Sequence, residues 1–74
     1  MVSMEIKIDV NDIPRLALAA QSIPETVIVK HGVFAASAKS MLGIMSLDIQ
    51  EPMTVEIASD DESKLDKFKQ WEIK

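Results

Sequence analysis

Few side chains in this 74-residue chain are equipped for chemistry. It has one histidine, His31, and no cysteine. A neutral imidazole can accept a phosphoryl group, but His31 sits beside Gly32 in "KHGV". That setting suits a hairpin tip and offers no adjacent helix start or arginine to stabilise transferred charge. One histidine without cysteine makes no metal-ligand cluster, so no metal is assigned. A second candidate is the hydroxyl of Ser40, which opens "KSMLGIMSLDI" at 39–49. Serine ahead of an apolar helical stretch is first of all an N-cap. A phosphate added there would meet free amides and the positive end of the helix dipole, so the same position suits regulatory phosphorylation. The acidic run Asp60, Asp61 and Glu62 lacks the alternating oxygen ligands and central glycine of a calcium loop, and helix capping explains it better. No catalytic residue and no cofactor is assigned.

These groups have to be positioned by a small set of elements. Met4, Ile6, Ile8 and Val10 alternate with Glu5, Lys7 and Asp9, which predicts a half-buried strand over 4–10. "NDIPRLALAAQS" follows, with Asn11 or Asp12 as cap, Pro14 in the first turn, and Ile13, Leu16, Ala17 and Ala20 at helical spacing. A helix of about three turns is expected, ended by Pro24. "TVIVK" and "VFAAS" read as a hairpin through His31-Gly32, glycine supplying a positive φ. Residues 41–47 form a short helix, which Gly43 weakens. After Pro52, Met53, Val55 and Ile57 alternate as a fourth strand. "SDDE" matches a capping box of Ser59 with Glu62, opening a closing helix whose apolar stripe is Leu65, Phe68 and Trp71. The order β-α-β-β-α-β-α is satisfied by an antiparallel sheet covered on one face by helices.

Composition narrows the function classes. The formal charge of −4 opposes binding to nucleic-acid backbones and anionic membranes. The alternating N-terminus is unlike a signal peptide, and no apolar run is long enough to span a bilayer. A single cytoplasmic domain over 1–74 is expected, near the size at which one core only just outweighs chain entropy. Five large apolar residues between 41 and 47 exceed what one stripe of a short helix can hide. Met41, Leu42 and Met45 are therefore candidates for contact with a protein partner, methionine being flexible and polarizable.

"KSMLGIMSLDI" and the element order resemble the histidine-containing phosphocarrier (HPr) family of the bacterial sugar phosphotransferase system. The family's second helix opens with a sequence like K-S-I-M-G-V-M-S-L-G-I. Lys39, Ser40, Gly43, Met45, Ser46, Leu47 and Ile49 are identical to it, and Met41, Leu42 and Ile44 are conservative replacements. The "HG" turn and the "MTVEIAS" strand stand where the family has corresponding elements, so the likeness runs from Val27 to Phe68; the front third matches by element order. The resemblance implies an α+β fold, an HPr-like open-faced β-sandwich whose four-stranded antiparallel sheet carries three helices on one face.

The family carries its phosphoryl group on a histidine at the start of the first helix, in a motif like G-I-H-A-R-P-A. This chain has "VNDIPRLALAA", with no histidine and with Asp12 adding negative charge. Arg15 is the candidate for the family's arginine, in a first helix about one turn shorter than usual. In some relatives the serine opening the second helix is phosphorylated by a regulatory kinase, and Ser40 holds that position. The resemblance thus implies a non-enzymatic, degenerate phosphocarrier. It would be a regulatory or docking module that meets a protein of sugar transport or transcriptional control through Met41, Leu42, Met45 and Arg15. Two rivals remain: a working phosphocarrier, and a ferredoxin-like domain binding a small ligand.

Overall fold

The structure, a computed structural model, describes residues 1–73. Its strands are β1 (Val2–Ile6), β2 (Val27–His31), β3 (Phe34–Ser37) and β4 (Met53–Ile57), and its α-helices are α1 (Ile13–Gln21) and α2 (Met41–Met45). A 3-10 turn, Val10–Asp12, leads into α1, and a 3-10 helix, Glu62–Trp71, closes the chain. The sheet runs β1-β4-β2-β3, every neighbouring pair antiparallel.

One face of the sheet is dry. Val2, Met4, Ile6, Val27, Val29, Met53, Val55 and Ile57 point from it into a core shared with Leu16 and Ala20 of α1, Ile44 of α2, and Phe68 and Trp71 of the closing helix. The opposite face is open to water, and Lys30 Nζ lies 3.1 Å from Glu56 Oε1 across it. This is the open-faced arrangement expected from the strand alternation.

Several boundaries move from their sequence positions, each for a visible reason. The first strand begins earlier and ends at Ile6, whose ladder partner is Met53, the first residue of β4 after Pro52. Ile8 remains buried beyond the strand, but Val10, expected on the core side, is exposed because it starts the 3-10 turn. His31 belongs to β2, and the hairpin turn proper is Gly32-Val33. Gly32 has φ 59°, and no other residue in the described chain has positive φ, so only the first central residue of the turn is left-handed, as in a II′ turn.

The closing helix departs most from expectation. Its cap is Asp61, whose Oδ1 accepts the Ser63 N–H at 3.0 Å. The expected Ser59–Glu62 box does not form. Ser59 Oγ instead accepts the Asp61 N–H at 3.1 Å, holding the capping residue in place. The helix is 3-10 because its buried residues recur every three positions: Leu65, Phe68 and Trp71. At three residues per turn such positions eclipse into one straight row, whereas in an α-helix they would drift around the axis. Phe68 and Trp71 pack with ring centroids 6.4 Å apart.

Candidate functional site

Two helix starts carry the groups singled out in the sequence. Ahead of α1, carboxylates occupy amides of the 3-10 turn. Asp9 Oδ1 accepts the Val10 N–H at 2.7 Å, and Asp12 Oδ2 accepts the Asp9 N–H at 3.0 Å. Together they make a reciprocal capping box around the 3-10 turn, which Asp9 caps; α1 itself has Asp12 at its N-cap, one of the two expected positions, but with no side-chain cap hydrogen bond. Pro14 stands in the first turn, where its missing N–H costs nothing. Arg15 reaches back to Asp12, Nη1 to Oδ1 3.7 Å, with its side chain mostly in water.

At the front of α2 the cap is neutral. Ser40 is extended, and its Oγ accepts the Gly43 N–H at 3.1 Å. The helix is shorter than its apolar stretch, only Met41–Met45, because Ser46 closes it, its hydroxyl donating to the Gly43 carbonyl at 2.6 Å. Gly43 is more than a weak helix former. A Cβ there would lie 3.2 Å from the Ser37 carbonyl oxygen and 3.3 Å from Ala36 Cβ. Its bare backbone lets α2 sit directly on β3. At the other side, Gln21 Nε2 donates to the Lys39 carbonyl at 2.9 Å, tying the end of α1 to the approach to α2.

This close seating divides the apolar residues of α2. Ile44 is fully buried and Leu47 nearly so, while Leu42 is 80% exposed, Met45 57% and Met41 46%. Met41, Leu42 and Met45 therefore form a solvent-facing apolar surface beside an exposed Ser40. Arg15 is not part of it. It lines a groove of about 440 Å³ between α1 and the closing helix, together with Leu18, Ala19, Ser22, Lys67 and Gln70. His31 is half-buried at the end of β2, opposite Phe34. Exposed Leu18 and Phe34 are apolar surface residues that the sequence reading passed over. Leu18 was detectable, since it lies off the stripe of Ile13, Leu16, Ala17 and Ala20.

The acidic residues near the closing helix are engaged locally. Asp60 Oδ1 accepts from the Met1 ammonium at 2.7 Å, and this bond lowers the pKa of its carboxyl. Hydrogen bonds from the Ser63 hydroxyl and amide lower that of Asp61. Glu25 receives Lys64 Nζ at 2.6 and 2.7 Å, which pulls its carboxyl below the ordinary value.

The family model for the PTS HPr component phosphorylation site matches residues 4–70, nearly the whole chain. The chain belongs to the HPr family. Among solved structures, the histidine-containing phosphocarrier protein of Mycoplasma superposes with a TM-score of 0.72 at 17% identity, covering 93% of this chain and 86% of that one. At that identity the likeness establishes the HPr fold. No curated protein sequence is significantly similar to the chain. The family is one of phosphocarriers rather than enzymes, and among the described residues no helix is long and apolar enough to cross a membrane.

Proposed function

We propose that this chain is an HPr-family protein without phosphohistidine transfer, acting in the cytoplasm as a protein-docking regulatory module of sugar phosphotransfer or carbon regulation. One observation carries the proposal. Where the family resemblance expects a phosphoryl-bearing histidine, the segment leading into the first helix has no histidine and carries two aspartates, whose oxygens hold the amides of the preceding 3-10 turn. A phosphoryl group brought there would face two carboxylates, a repulsion that Arg15, 3.7 Å from Asp12 and mostly in water, offsets only weakly.

Docking through α2 is the activity left to such a chain. Leu42, Met45 and Met41 offer an apolar contact that folding does not consume. Ser40 at its edge is the regulatory position: phosphate there replaces a neutral cap by a dianionic one and changes the charge of the docking surface. Arg15, on the separate groove, is the cationic contact of a partner that reaches around α1.

The family match itself favours one rival, a working phosphocarrier using His31, the single imidazole present. Incubation with phosphoenolpyruvate and the first enzyme of the phosphotransferase system separates the two. We expect no acid-labile label; stoichiometric labelling of His31 would overturn the proposal. Capture of phosphotransferase-system proteins by wild type, Met45→Asp and Ser40→Asp tests docking. Loss of capture with Met45→Asp is expected, and equal recovery from all three would remove both the docking and the switch.

A further inference from the structure

The chain has five methionines and no cysteine, so its sulfur oxidation chemistry rests on thioethers alone. The fold sorts them sharply. Met4 and Met53 are buried in the sheet core, whereas Met41 and Met45 stand in water on α2, and Met1 is exposed at the chain start. Positions 41 and 45 are four apart on one helix and so share a face, with exposed Leu42 beside them.

We propose that Met41 and Met45 are an oxidation site at which a peroxide converts the exposed face of α2 from apolar to polar without disturbing the fold. Each thioether sulfur donates an electron pair to one peroxide oxygen. The O–O bond breaks, an S=O bond forms, and the second oxygen leaves as water after taking up the proton. Sulfur is oxidised by two electrons and the peroxide is reduced by two. The result is a polar, chiral sulfoxide, reversible by methionine sulfoxide reductases. The fold tolerates it because the residues that anchor α2 are Ile44 and Leu47, which have no oxidisable atom, and because Gly43 seats the helix through backbone contact. The consequence for partner contact rests on the docking reading above; the selective oxidation does not.

The test is hydrogen peroxide titration of the whole chain with peptide mass mapping, melting curves and retention on a hydrophobic-interaction column. Sulfoxide is expected at Met41, Met45 and Met1 while Met4 and Met53 stay reduced, with the melting temperature nearly unchanged and retention shortened. Retention of the Met41→Leu/Met45→Leu variant should not respond to the same dose, which removes Met1 as the cause. Reductase treatment should restore the wild-type retention. Oxidation of Met4 or Met53 alongside the exposed pair, unfolding of the oxidised chain, or unaltered retention with both sulfoxides present would each overturn the proposal. Capture of phosphotransferase-system proteins before and after peroxide is read separately. Failure of the reduced chain to capture any would count against docking and leave the mapping result standing.

Discussion

The starts of α1 and α2 are built differently. Every helix begins with amides that lack intrahelical partners. Before α1 the carboxylates of Asp9 and Asp12 cap the preceding 3-10 turn with negative charge, while Asp12, at the N-cap of α1 itself, makes no side-chain cap hydrogen bond. Before α2 a single hydroxyl, Ser40, meets one such amide, and the residues that follow are greasy and exposed. In a family defined by a phosphorylation site, the first start carries two carboxylates and the second an exposed apolar face.

The contrast within α2 gives the largest expected effect. Ile44 and Met45 are neighbours, but the first is fully buried and the second mostly in water. Ile44→Asp should cost more than about 4 kcal/mol, enough to unfold a domain of this size, because it buries an unpaired charge and opens a cavity. Met45→Asp should leave urea unfolding within about 0.5 kcal/mol of wild type while abolishing capture of the partner. Equal destabilisation by both would mean that α2 has no free face.

The caps themselves come next. Asp9→Ala and Ser40→Ala should each lose about 1 kcal/mol in urea titration. Ser40→Asp keeps an acceptor for the Gly43 amide and should lose less than Ser40→Ala, so its effect on docking can be read without a folding artefact.

The smallest effect is the pH response. In the folded chain the Glu25 carboxyl is held below its ordinary 4.5, chiefly by the Lys64 hydrogen bonds. A depressed carboxyl stabilises the fold fully above its unfolded value and loses that contribution as pH falls through the folded one. Acid titration below pH 4.5 should therefore weaken wild type more than Glu25→Gln. The lysine–glutamate pair is only part-buried, so added salt should narrow the difference. An identical acid profile for the two proteins would show that the pair contributes nothing.

Much of this organisation was legible beforehand because it follows from local chemistry. Strand alternation named Met4, Ile6, Val55 and Ile57 as core, and helical spacing named Leu16 and Ala20, since side-chain direction is set by backbone period. The Ser40 cap was equally readable, as was the positive φ of Gly32. Other features depended on distant contacts. The first strand stops at Ile6 because β4 has no residue to pair beyond Met53. Asp9 became a cap because a 3-10 turn precedes α1, and the last helix is capped by Asp61, whose amide donates to Ser59 Oγ.

By itself, then, the order of residues determined the elements, the composition of the dry sheet face and the absence of a histidine before the first helix, all consequences of side-chain type and period. Only the tertiary structure decided which apolar residues of α2 stay wet and that Arg15 lines a separate groove beside the closing helix. The physical reason is that exposure belongs to a pair of surfaces. Gly43 lets α2 settle onto Ala36 and Ser37, and that contact turns Ile44 inward and leaves Met41, Leu42 and Met45 facing water.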